Sequence, residues 1–310
     1  MNKDDWTGIL IVIGIIAIGL FSGFKGTGNT GDSLTSYSET ATGETSQSSN
    51  NLGTTEQQQK NLQQKINEAK IQVEDLKRQI QAEADKKTQS QYKGVVSLVY
   101  ANHSAHSSEE YVTIRMASGT TTAVNITGWK LRSLMSGREV TIPQGTYLFF
   151  TSTVNGEQDI YVTGGDTVYL LTGTSPIGVN FKTNKCSGYL EQFQNFTPYL
   201  STSCPLPRDE NLSAISNLSI NNACLDYIDS FPKCRIQTET LPSSWSYECK
   251  NFVQTKINYS SCIDIHKEDK NFYGHEWRVY LKRNNTIWKN SSEDIVLYDN
   301  FGKVVGELKY

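Results

Sequence analysis

The chain has 310 residues, with 29 Lys and Arg against 32 Asp and Glu for a formal net charge of −3, and 20% of its residues are charged. The charges nearly cancel again from Val95 onward, so no basic stripe favours nucleic acid through counterion release, and a nucleic-acid partner is disfavoured. The length allows about two domains of ordinary size, and part of it is taken up by segments that cannot be globular.

Residues 8–24 (GILIVIGIIAIGLFSGF) carry no charge. As a helix they would span about 26 Å, near the thickness of a bilayer core. The preceding MNKDDW is mixed in charge and LFSGF offers no small-x-small cleavage site, so residues 1–25 read as an uncleaved transmembrane anchor in the lipid bilayer. Lys3 and Lys25 flank it almost symmetrically, and the positive-inside rule sets no orientation. Residues 26–58 are Gly, Ser, Thr, Asn and Gln with almost no large apolar side chain, too little hydrophobic surface to offset the entropy of ordering. They read as a disordered linker with a root-mean-square span of about 30 Å.

The periodicity then changes. Leu62, Ile66, Ala69, Val73, Leu76 and Ile80 recur at alternating spacings of four and three, the a/d seam of a coiled coil over residues 59–90. β-Branched residues at a (Ile66, Val73, Ile80) with Leu62 and Leu76 at d predict a parallel homodimer.

Residues 93–181 alternate with period two between closely spaced turn signals, the pattern of antiparallel strands with one wet face. Val96, Leu98 and Tyr100 alternate, as do Val112 and Ile114; Trp129 and Leu131 share one face while Lys130 and Arg132 take the other. Val140 and Ile142 precede the turn Pro143-Gln144-Gly145, and Leu148 and Phe150 follow it. The expected core includes Trp129, Leu131, Val140, Ile142 and Val168.

The pieces YVTI (111–114), ITGWKL (126–131), VTIPQG (140–145) and GDTVYL (165–170) resemble, at this spacing, the lamin tail domain. The resemblance covers roughly 90 residues and implies an immunoglobulin-like β-sandwich of the kind found in nuclear lamins and in bacterial surface and secreted proteins. It brings no activity with it. The fold class is accordingly mainly β: a lamin-tail-like sandwich with a Cys-rich, partly helical extension over residues 182–310.

The six cysteines, Cys186, Cys204, Cys224, Cys234, Cys249 and Cys262, all lie beyond the anchor, without C-x-x-C or zinc-finger spacing. They predict three disulfides, hence an oxidising compartment and a C-terminal bulk outside the cytoplasm, at the cell surface or in the periplasm. Fifteen pairings are possible; proximity in sequence pairs Cys186 with Cys204, Cys224 with Cys234, and Cys249 with Cys262. Between them, residues 223–231 suit a helix stopped by Pro232, and Ser243 or Ser244 a cap for a second helix running to about Ile257. EDIVLY (293–298) echoes GDTVYL (165–170), so residues 276–310 either add strands to the first sandwich or close a second module.

Candidate chemistry is sparse. His103-x-x-His106 sits in a polar stretch, and His266 and His275 near Asp264, Glu268 and Asp269 could form an acid/base or cation site, although such a charge run reads first as solvated surface. No G-x-S-x-G, H-E-x-x-H or P-loop occurs, and no catalysis, cofactor or metal is expected. Trp288 stands out as an exposed aromatic for a protein or glycan partner. The expected function is a membrane-anchored, extracytoplasmic scaffold or adhesion protein; the alternatives are a cell-envelope enzyme or glycan-binding accessory with a cleft in the Cys-rich half, and surface nucleic-acid binding.

Overall fold

A computed structural model describes residues 52–151, 153–216 and 222–310. The expected anchor (residues 1–25) and most of the expected linker (residues 26–58) lie outside them; no helix of the described residues is long and apolar enough to cross a membrane. Helix α1 runs Leu52–Thr88, so it begins inside the expected linker and ends two residues short of the expected coiled coil. Its exposed Gln side chains bond at i,i+4, as in Gln63 to Asn67 and Gln81 to Asp85, which supports a solvated helix. It stops where the Ser90 amide donates to the Val304 carbonyl.

The rest of the chain is sheet-rich, with eleven strands in three sheets among the described residues. In chain order they are β1 (Val96–Asn102), β2 (Tyr111–Met116), β3 (Val124–Asn125), β4 (Lys130–Ser133), β5 (Glu139–Thr141), β6 (Tyr161–Val162), β7 (Thr167–Leu171), β8 (Phe181–Asn184), β9 (Tyr273–Tyr280), β10 (Asp294–Tyr298) and β11 (Val304–Lys309). One sheet has the order β1-β2-β7-β9-β8, a second β11-β10-β4-β5, and β3 pairs with β6. The three C-terminal strands therefore join sheets built by the first ninety-odd residues of this region. β10 lies against β4 with Leu297 opposite Leu131, and β9 lies parallel to β7 with Trp277 opposite Val168. The two echoing segments occupy interior strands of different sheets.

The two larger sheets share one core. Val112, Ile114, Val168, Leu170, Trp277 and Val279 come from the first, and Leu131, Val140, Ile295 and Leu297 from the second. All five expected core residues are buried. Two local expectations differ. A bulge between Leu98 and Tyr100 shifts the register, so Tyr100 points to solvent. Around Leu148 the chain forms no strand; Phe149 rather than its neighbours turns inward. Gly145 passes directly under Trp277: a Cβ there would lie 2.9 Å from the indole, so this turn admits only glycine without displacing the ring.

Alternate residues of β9 and its neighbours face a second core. Leu171, Phe181 and Tyr280 pack against the Cys-rich extension, whose helices longer than one turn are, among the described residues, α2 (Asn222–Ser230), α3 (Tyr247–Thr255) and α4 (Tyr259–His266). The α3 cap is Ser246, whose hydroxyl accepts from the Cys249 amide, two residues later than the nearer expected cap. Helix α4, capped by Asn258, extends the helical region beyond Ile257. The disulfides are Cys186–Cys262, Cys204–Cys234 and Cys224–Cys249, which overturns all three proximity pairings. Proximity fails because helices and a return strand fix the partners: α2 lies against α3 through Cys224–Cys249, and α4 returns to the 3-10 segment Ser187–Gln192 that follows Cys186.

Trp288 is buried, against the expectation of an exposed aromatic. The reason is Glu110, itself fully buried. Its carboxylate accepts from the amides of Ile287 at 2.7 Å and Trp288 at 3.0 Å and from the Thr172 hydroxyl at 2.5 Å, pinning the loop before β10 over the core. Replacing one charged acceptor oxygen by an amide leaves a buried N–H facing a donor. Glu110→Gln should therefore lower the unfolding free energy by about 2–3 kcal/mol in urea titration, whereas a loss under about 0.5 kcal/mol would show that the loop is held by packing alone.

Candidate functional site

The seam residues of α1 sit at the positions the heptad assigns them, and all are exposed: Leu62 by 61%, Ile66 by 41%, Val73 by 46%, Leu76 by 42% and Ile80 by 55%, with Ala69 also exposed. Ile71, outside the seam, is exposed too. A row of large aliphatic side chains at alternating spacings of four and three on a solvated helix is a surface that association would cover.

In the extension, a cleft of about 420 Å³ is lined by Asn184, Ser187, Ser201, Ser203, Asn271 and His275 among others. Strand β8 supplies one wall and the start of β9 the other. His275 is largely solvent-facing, and its Nδ1 meets Asp166 at 3.0 Å. Asp166 is fully buried; it also accepts from the Lys182 ammonium at 3.0 Å and from the Thr163 amide and hydroxyl. Burial alone would raise the Asp166 pKa, but the Thr163 amide, Lys182 and His275 outweigh it and hold the carboxyl below its ordinary value. Lys182 in turn lies 5.7 Å from the centre of the Trp277 ring. The site is a buried carboxylate orienting an exposed imidazole at the rim of a hydroxyl-lined cleft, an arrangement suited to hydrogen-bonding a polar ligand.

His266 belongs to another network. Its Nε2 meets Glu210 at 2.9 Å and its Nδ1 meets Asp269 at 3.0 Å, while Lys185 reaches Asp269 at 2.7 Å. Two carboxylates on one ring satisfy both nitrogens only when each carries a proton. The structure thus separates the two histidines expected together: His275 pairs with Asp166, far along the chain, and His266 with Glu210. Among the described residues no group of three or more His, Cys, Asp or Glu is placed to hold a metal. His103 stacks on Tyr310, with ring centres 4.6 Å apart.

Asp166, Lys182 and Glu110 were not singled out in the sequence. The sequence around Lys182, VNFKTN (179–184), alternates polar with less polar residues and reads as an ordinary half-wet strand, so it carried no signal for a buried charge. No family model matches this chain, and no curated protein is measurably similar to it in sequence.

Burial alone would lower the His266 pKa, but its hydrogen bonds to Glu210 and Asp269 outweigh this and raise it above the ordinary 6.5. A raised folded-state pKa contributes stability that is fully present below the unfolded value, about pH 6.5, and lost as pH rises through the folded value. The chain should therefore lose stability on going from pH 6 into the alkaline side of that window, measured by thermal unfolding. His266→Gln should flatten that slope; an unchanged slope in the variant would assign it to other groups.

Proposed function

We propose that this chain is a membrane-anchored, extracytoplasmic interaction protein that displays a lamin-tail-like, immunoglobulin-like β-sandwich on a self-associating helical stalk. The observation that carries the reading is the exposed a/d seam of α1. A helix of 37 residues with every large seam residue open to solvent gains by covering that row with a second copy, and tethering in one bilayer raises the effective concentration of stalks. Three disulfides support an oxidising compartment, hence export of the C-terminal bulk by the segment at residues 8–24. Two sheets closing on a common core, with a parallel strand supplied from the C-terminus, support the sandwich reading. No catalytic step enters this function.

A second reading, a glycan-binding accessory, is favoured by the hydroxyl-lined cleft beside His275. The two readings are compatible in one molecule, because the cleft and the seam share no residue.

The test is the oligomeric state of the full-length chain in detergent by analytical ultracentrifugation. Wild type should sediment as a dimer, and Ile66→Asn, Val73→Asn and Ile80→Asn combined should give a monomer with unchanged thermal unfolding of the β region. A wild-type monomer at every concentration sampled would remove the stalk from the account.

A further inference from the structure

β5 is an open edge. The other edges of the two larger sheets are covered: Thr146 bonds to Asn180 and Lys182 along β8, Ser90 caps β11 at Val304, and β11 runs beside β1 with Gly306 against the Leu98 backbone. Among the described residues β5 pairs with β4 alone. The Ser133 amide donates to Arg138, and Ile142 donates to Trp129 and accepts from Gly128, so Arg138, Val140 and Ile142 direct their backbone groups at β4. In an antiparallel ladder the alternate residues, Glu139 and Thr141, then turn their N–H and C=O groups outward.

These groups open onto a groove. Two adjoining hollows of about 550 and 280 Å³ both touch Glu139, Val140, Lys282 and Arg283. The far wall is the loop after β9, held rigidly where the Lys282 amide donates to Gly173 and the Arg283 amide to Thr172. Lys282 takes the left-handed conformation, φ 54°, uncommon for a lysine, and both side chains are exposed. Among the described residues neither Lys282 nor Arg283 meets a carboxylate within ion-pair distance. Arg138 closes one end, its Nη1 donating to the Thr286 carbonyl at 2.7 Å. The groove's own acids are Glu139, already paired with Lys130 at 2.8 Å, and Glu157. The groove therefore has surplus positive charge beside unpaired strand backbone.

We propose that this groove receives a short, extended, acidic segment of a protein partner, added to β5 as a further strand, with its carboxylates on Lys282, Arg283 and Arg138. Backbone groups of Glu139 and Thr141 supply the ladder, and the cations select the side chains. β5 is brief and Pro143 ends it, which guards the edge against indiscriminate pairing and restricts the partner to a short motif. An acidic polysaccharide would meet the same cations but has no use for the strand edge.

The inference names a partner class for the displayed body and to that extent rests on the interaction reading, yet its test is separate. Fluorescence anisotropy of the full-length chain is measured with a labelled peptide alternating Glu and Val, the same peptide N-methylated at alternate amides, and a Lys-Val counterpart. Polygalacturonate serves as competitor. Saturable binding of the Glu-Val peptide is expected, weakened about tenfold or more by N-methylation and by Lys282→Glu with Arg283→Glu, and absent for Lys-Val. Both substituted side chains are exposed, and thermal unfolding of the variant checks its fold. No saturable binding overturns the proposal. So does equal affinity for the N-methylated peptide, or polygalacturonate binding that the peptide merely imitates. Sedimentation of the same preparation reads stalk association independently, so failure of one reading is not mistaken for failure of the other.

Discussion

The structure depends on one sheet being buried on both faces. The five-stranded sheet has β9 in its interior, parallel to β7 and antiparallel to β8. Period-two alternation sends Trp277 and Val279 into the core shared with the second sheet, and Arg278 and Tyr280 toward the Cys-rich extension. β8 and β9 are antiparallel neighbours that a short hairpin could join, yet between them residues 185–272 leave the sheet and return to it. The extension is that excursion. Its helices and disulfides cover the outer face of the sheet, which explains why β8 is buried along its whole length and β9 along its second half.

A wall with apolar packing on both sides has no solvent to receive charge, and the chain places several charges there. Arg278 is fully buried in the second face, yet its guanidinium lies 4.3 Å from the centre of the Tyr169 ring and donates to the Pro198 and Tyr199 carbonyls and to Glu276. Lys182 meets Asp166. Glu110 and Glu293, just before β2 and β10, meet no cation within ion-pair distance among the described residues and are satisfied by amides and hydroxyls, Glu293 accepting from Ser133, Lys289 and Asp294. Desolvation makes each of these groups costly unless hydrogen-bond partners compensate it, so the partners of each hold a segment in one position. Glu110 holds the loop before β10, Asp166 orients His275 at the cleft, and Arg278 holds the segment around Tyr199.

What was legible in the sequence was local. Period-two alternation located the strands around Trp129, Leu131, Val140 and Val168, and heptad spacing located the exposed seam of α1. Helix α2 was legible because Pro232 stops it. The unreadable parts are those set by distant partners. Proximity misassigned the disulfides because a cysteine's partner is chosen by how helices pack and where the chain returns, which sequence separation does not encode. Trp288 was expected to be exposed, whereas a carboxylate 178 residues earlier draws its backbone inward. His266 and His275 are close in sequence but belong to α4 and β9, which direct them to Glu210 and Asp166. The strand edge of β5 was invisible because an edge is defined only once the other strands have been ordered.

Among the described residues the extension covers the outer face of the five-stranded sheet, and β5 leaves an unpaired edge on the second. The central claim is that β9 belongs to the sheet and the extension merely covers it. Hydrogen exchange after mild reduction tests this most directly. Amides of α2, α3 and α4 should lose protection together, while those of β9 stay protected alongside β7 and β2, because Trp277 and Val279 remain packed in the first core. Loss of β9 protection in step with the three helices would contradict the account, placing that strand in the extension.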